Sequence, residues 1–260
     1  MISILMPVYN GIEFINESVI SVINQSFKNW ELIIGVNGHP KDSDIYNIAQ
    51  KYENIDSRIK VYDLFNIKGK SNALNYMIKY CNYGYVALLD VDDIWHIKKL
   101  EIQSKFLNNY DVIGTKCIWF GDVENVIPKI PSYNFSNFDF SKVNPIINSS
   151  SITRKELCFW RNIFDGVEDY DLWIRLRKLN KKFYNCPELL VKHRIHKKSA
   201  FNSKKNGDKV KPLLESHGFT QDEDNKLINF NNIQKISMNI NNGNFLQSNG
   251  HNKNFILNLH

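Results

Sequence analysis

The sequence predicts an α/β fold, a Rossmann-type α/β/α sandwich with a mostly parallel central sheet. Three observations lead there. Short apolar runs alternate with helical periodicities through the first half of the chain. Several of those runs end abruptly in polar, acidic or chain-breaking residues, as strands do at the carboxyl edge of such a sheet. The 260 residues, 43% hydrophobic and 13% aromatic, suffice to bury one large core with at most a small appendage.

Residues 2–8 form the first apolar run, with Pro7 closing it. Ile12, Ile15, Val19, Val22 and Ile23 then recur at helical spacing up to Gln25. Residues 30–36 are a second strand, broken by Asn37-Gly38-His39-Pro40. A helix over 45–52, a strand over 59–64 and a helix over 72–80 follow. Residues 85–89 make a fourth strand that ends in acids. This βαβαβαβ order argues for parallel strands covered on both faces, with ligands at their carboxyl ends. That places Tyr9-Asn10, Asn37-Gly38 and residues 90–93 at the site. The second half is less regular: strands over 110–120 and 148–153, an aromatic, loop-rich stretch over 126–145, and a helix over 169–179. Beyond about residue 202 the chain is polar and Asn-rich, with a short helix near 210–216 and little core. That tail is open to three readings: it docks on the body, mediates homo-oligomerisation or stays flexible.

The formal charge of +6 suits either an anionic ligand or simple solubility. Lys192, Arg194, Lys197, Lys198, Lys204, Lys205, Lys209 and Lys211 cluster late in the chain, where they could meet phosphates, anionic lipid heads or only water. No nucleic acid is expected as a partner. Cys81, Cys117, Cys158 and Cys186 form no C-x-x-C pair, which argues against zinc and redox motifs and fits reduced thiols in a cytoplasmic protein. No apolar run reaches the ~20 residues of a membrane span, and the first run lacks the basic flank of a signal peptide. The expected setting is cytoplasmic, with attachment at the periphery of a membrane left open.

Asp90-Val91-Asp92-Asp93 puts three carboxylates into four residues at the end of a buried strand. They repel one another unless something positive neutralises them, and Mg²⁺ or Mn²⁺ takes such oxygen ligands while keeping positions for phosphates. The alternative is a polar loop in which Asp93 caps the next helix. Glu168, Asp169 and Asp171 open the last helix, where the helix dipole alone favours acids.

The chain resembles family 2 glycosyltransferases, and five motifs in that family's order carry the likeness. They are Pro7-Val8-Tyr9-Asn10, Gly69-Lys70-Ser71-Asn72-Ala73-Leu74-Asn75, Asp90-Val91-Asp92-Asp93-Ile94-Trp95, Glu168-Asp169-Tyr170-Asp171-Leu172-Trp173 and His193-Arg194-Ile195-His196. The resemblance implies a GT-A-like domain over 1–201, with a nucleotide-binding half at 1–95 and an acceptor half at 96–201. It implies a nucleotide-diphosphate sugar donor (UDP-, GDP- or dTDP-sugar) and Mn²⁺ or Mg²⁺ on Asp92 and His196. Pro7, Tyr9, Asn10, Asn37, Lys70, Asp90 and Asp93 would contact the donor. Asp169 would be the catalytic base, with Glu168 beside it.

Simple chemistry agrees with these roles. The leaving diphosphate needs neutralising, which a cation does, and the attacking hydroxyl needs a carboxylate to take its proton. One base and no obvious nucleophile imply inversion. The chain departs from the family where two acids usually end the second strand; Val36 and Asn37 stand there, so the base preference is open. The acceptor, whether glycan, lipid-linked or protein, is unreadable. Tyr133, Phe135, Phe138 and Phe140 either stack on its sugars or pack the core. Two rival readings are a module of the same fold that binds without turnover and a sugar nucleotidyltransferase. The second is disfavoured because the loop after the first strand has one glycine and no basic residue.

Overall fold

The computed structural model describes residues 1–197, 199 and 206–219. The first half follows the alternation read from the sequence. Strands β1 (Ile2–Val8), β2 (Trp30–Asn37), β3 (Ile59–Leu64) and β4 (Tyr85–Leu88) alternate with helices α1 (Ile15–Ile23), α2 (Asp44–Gln50) and α3 (Lys70–Met77). In β1, Ile2, Ile4, Met6 and Val8 pack with Val19 and Val22 of α1. Leu5 points to the opposite face, with Ala73, Leu74 and Met77 of α3. The two-residue period of a strand thus feeds two cores at once, which is why these strands read as unbroken apolar runs.

The second half contributes β5 (Ile94–Trp95), α4 (Lys99–Ser104), β6 (Val112–Gly121), β7 (Tyr133–Asn134), β8 (Ile152–Arg154), α5 (Glu168–Lys178) and β9 (Phe183–Ile195). All strands join one sheet in the order β3-β2-β1-β4-β8-β6-β9-β5, with β7 against β9. The long ladders β1–β2, β2–β3 and β6–β9 are parallel. Short antiparallel β8 splices the two halves, pairing with β4 on one side and β6 on the other.

The structure corrects the sequence reading in three places. The strand expected over 148–153 is a 3₁₀ turn, Asn148–Ser150, followed by β8. The 13-residue β9 was not foreseen, because Pro187 and the polar residues near its end break the strand pattern. It survives because the β6–β9 register shifts around Lys116, from Thr115↔Cys186 to Lys116↔Leu189, so Pro187 falls at a bulge. The tail does carry core: helix α6 (Val210–Ser216) forms where expected, and its Leu213 and Leu214 are buried with the α5 cluster. The rest of the tail, 202–205 and 220–260, lies outside the described residues, as do Lys198, Lys204 and Lys205.

Phe135 and Phe140 are buried against Phe183, so they pack the core; Tyr133 stays exposed. All four cysteines are free thiols. Among the described residues, no helix is long and apolar enough to cross a membrane.

Gly35 shows how tightly β2 meets α3. A Cβ there would sit 2.5 Å from Met77 Sδ and 2.8 Å from Leu64 Cδ1, both buried. Gly35→Ala is therefore expected to lose about 1–3 kcal/mol by urea denaturation, against the gain of about 0.5–1 kcal/mol that Ala usually brings to a strand. An unchanged or higher stability would show that this packing yields freely.

Candidate functional site

Parallel strands bring their carboxyl ends to one edge, and β1, β2 and β4 deliver Tyr9, Asn37 and Asp90 there. Beyond β4 the three aspartates have separate partners. Asp90 receives Lys70 Nζ at 2.5 Å, and Asn148 Nδ2 lies 3.1 Å from both of its oxygens. Burial opposes its charge, but Lys70 and Asn148 outweigh it and hold the carboxyl below its usual range. Burial likewise works against the Lys70 cation; Asp90, together with Glu168 Oε1 at 3.6 Å, more than restores it.

Asp93 is wholly buried. Its Oδ1 accepts the Arg194 backbone N–H at 2.8 Å, and its Oδ2 lies 3.0 Å from His193 Nδ1. Burial would discharge His193, yet Asp93 prevails and pushes its pKa up to about 9. Asp93 thus ties the loop to β9 and presents no free oxygen to a donor. Arg194 adds to the tie: its Nε donates to the Asp92 carbonyl at 2.9 Å, and its guanidinium pairs with Glu17 at 3.0 Å.

Asp92 is compensated less: burial and its neighbours push its carboxyl up more strongly than His196 and His193 pull it down. Burial, then Asp93 and Asp90, push its carboxyl above the usual range. Its Oδ2 lies 2.9 Å from His196 Nε2, which follows the end of β9. Among the described residues no group of three or more His, Cys, Asp or Glu gathers as a metal cage. Asp92 and His196 are a two-donor set.

The second acidic group sits at the start of α5. Glu168 is nearly buried, and its Oε2 accepts the Gly166 N–H at 2.6 Å. Burial lifts its pKa to about 7 even with Lys70 pulling it down. Asp169 is partly exposed. Its Oδ2 accepts from Asn144 Nδ2 at 3.0 Å, and burial, against the pull of Lys70, raises its pKa. Lys70 therefore joins the two carboxylate groups into one site.

Tyr9 is 44% exposed and stacks on His39 with ring centroids 5.3 Å apart. Pro7 lies within β1, and Asn10 is exposed just past it. Asn37 is only 2% exposed, so little of it can face a ligand directly.

Sequence reasoning missed Asn144, Asn148 and Asp165. Asp165 caps the start of α3, its Oδ1 accepting from Ser71 N at 2.8 Å and Ser71 Oγ at 3.0 Å. The available signal was a helix start at Gly69-Lys70-Ser71 without a local capping side chain. Beside it an open depression is lined by Lys68, Gly69, Asn72, Asn162, Ile163 and Asp165.

The carboxyl edge of the parallel strands, a carboxylate at a strand end and a second acidic pair at a helix start are thus gathered around Lys70. Comparison with known proteins identifies the family. Residues 3–183 match the model of Glycosyl transferase family 2, and the chain belongs to that family. It is 31% identical over 215 residues to the O-antigen biosynthesis glycosyltransferase WbnJ of Escherichia coli, covering 78% of this chain and 83% of that one. It is 29% identical to the E. coli UDP-Glc:alpha-D-GlcNAc-diphosphoundecaprenol beta-1,3-glucosyltransferase WfgD, over 78% of this chain and 81% of that one. Among solved structures, S. aureus TarS in complex with UDP superposes with a TM-score of 0.64 at 17% identity, covering 83% of this chain and 64% of that one. The mannosyltransferase PcManGT of Pyrobaculum calidifontis, in complex with GDP-Man and Mn²⁺, gives 0.64 at 11% identity over 89% of this chain and 68% of that one. The expected GT-A-like fold is the one these neighbours share.

The Asp93–His193 tie is open to direct test. By imidazole NMR, His193 should remain protonated through neutral pH, and Asp93→Asn should drop its pKa below the ordinary histidine value, since burial then acts with less opposition. A His193 that titrates alike in both proteins would show that Asp93 is not its partner.

Proposed function

We propose that this glycosyltransferase moves a sugar from a nucleoside diphosphate sugar to an acceptor hydroxyl in one inverting displacement. A divalent cation, Mn²⁺ or Mg²⁺, would be held by Asp92 and His196. The observation that carries the reading is Lys70, which lies 2.5 Å from Asp90 and 3.6 Å from Glu168. It sets a phosphate-side cation against the carboxylates that face the acceptor.

The residues fit the metal. Asp92 is the aspartate of the run whose charge is least compensated, and its nearest partner is an imidazole nitrogen at 2.9 Å, itself a metal donor. Two protein ligands suit a small hard cation that takes its remaining positions from phosphate oxygens and water. Bound there, the cation would supply Lewis-acid neutralisation of the leaving diphosphate.

The chain's own residues do the rest. Lys70 meets the negative charge that collects on the diphosphate as the anomeric carbon–oxygen bond breaks. The acceptor oxygen forms its new bond to that carbon from the opposite face, and Asp169 takes the hydroxyl proton. A carboxylate with a raised pKa is the better base for this step. Asn144 holds one Asp169 oxygen and so fixes the direction of the other. Glu168, spent on Gly166 N–H and Lys70, shapes the loop. Residues 1–95 would hold the nucleotide, with Tyr9 as a platform for the base, and residues 96–201 would hold the acceptor and complete the metal site.

Neighbouring structures hold UDP and GDP-Man, which supports the donor class. WfgD is named for a diphosphoundecaprenol acceptor, which supports a lipid-linked one and attachment at a membrane surface.

Asp169→Asn keeps the size and the helix-start preference of the side chain but cannot accept a proton. Calorimetry should find UDP or GDP with Mn²⁺ bound as tightly as in wild type, while sugar transfer falls by about 10²–10⁴. Full turnover by the variant on the true acceptor would end the assignment of Asp169 as base.

A further inference from the structure

The family match ends at residue 183, yet the segment 206–219 is packed onto residues 161–171, the turn into α5 and the helix start that carries Glu168 and Asp169. It does so at three points. Asn206 is buried against Gly166, whose φ is +99° and whose added Cβ would come 2.4 Å from the Asn206 amide. Only glycine permits that approach. The same Gly166 donates its N–H to Glu168. Lys209 Nζ donates to the Asp165 carbonyl at 2.6 Å, and the Asp165 side chain caps the helix that begins at Lys70. His217 Nε2 reaches Asp171 Oδ1 at 2.9 Å.

Asp171 is fully buried and also receives Arg161 and Arg175, so its charge is held from the turn before α5, from α5 itself and from the segment 206–219. Lys178 Nζ returns to the His217 carbonyl at 2.7 Å, and Leu213 and Leu214 seat α6 in the core.

We infer that residues 206–219 form a strap that positions residues 161–171 for transfer, with His217, Lys209 and Asn206 as positioning residues beyond those the family model matches. The inference rests on the reading of Asp169 as base. The strap touches neither the Asp92–His196 pair nor the Tyr9 edge in any contact described above. It acts through Gly166, Asp165 and Asp171, each within four residues of Asp169. Its removal should therefore slow turnover and spare donor binding.

The test uses the full chain with His217→Ala, His217→Gln and Lys209→Ala, read by kcat, KM, UDP–Mn²⁺ affinity and amide hydrogen exchange. His217→Ala should lower kcat by about tenfold or more through misplacement of the base, with UDP–Mn²⁺ affinity within about twofold of wild type. Glutamine can donate to Asp171 and should recover most of kcat. Exchange should quicken over 161–169 while β1 and β2 stay protected. Lys209→Ala, a surface change, should lower kcat by about threefold. A folded His217→Ala with wild-type kcat, a loss that glutamine does not recover, or unchanged exchange over 161–169 would overturn the strap. Should His217→Ala fail to fold, Lys209→Ala decides alone: a wild-type kcat overturns it. A wild-type protein without turnover on any sugar nucleotide would instead sink the transferase mechanism, and the exchange data would still judge the strap.

Discussion

Three carboxylates in four residues at the end of a buried strand cannot stand together uncompensated; an unpaired buried charge costs several kcal/mol. Much of the fold answers that constraint. Asp90 is met by Lys70 from the start of α3 and by Asn148 from the turn before β8. Asp93 is met by His193 and the Arg194 backbone from the end of β9. Among the described residues, the Asp92 carboxylate is met by the imidazole of His196. One acid is anchored by a cation, one is sealed inside, and one faces an imidazole.

The same constraint explains why both halves of the chain are needed. β9 starts in the core at Phe183 and runs parallel to β6 until His193 and Arg194 stand over the acidic loop. α3 delivers Lys70, which also reaches Glu168 at the start of α5. The acidic end of β4 and the start of α5 are therefore coupled through one ammonium group. The bond from Asn144 to Asp169 and the contacts of 206–219 then fix the start of α5 and the turn before it.

What could be read from the sequence follows from the same physics. β1 to β4 were legible because strands buried on both faces are continuously apolar. β9 was not, since Pro187, Lys192, His193 and Arg194 serve a bulge and the site instead of the core. β5 and α4, two and six residues long, are too short to show a period. Lys70, Asp90 and Glu168 lie apart in sequence and meet in space. Asn144 and Asn148 gave no signal, because an amide in a loop shows its purpose only when the carboxylate it faces is in place. Asn37 is the reverse case: prominent by position at the end of β2, yet almost wholly buried.

The assignment that most depends on this charge arrangement is Asp92 as the carboxylate left for a cation. Electron paramagnetic resonance of free Mn²⁺, titrated with the protein in the presence of UDP and then of GDP, measures it directly. Wild type should take up Mn²⁺ with at least one of the two nucleotides, and Asp92→Asn should bind it about tenfold more weakly or worse while keeping its fold, as expected when a ligating carboxylate is lost. Equal Mn²⁺ affinity in the two proteins would contradict it.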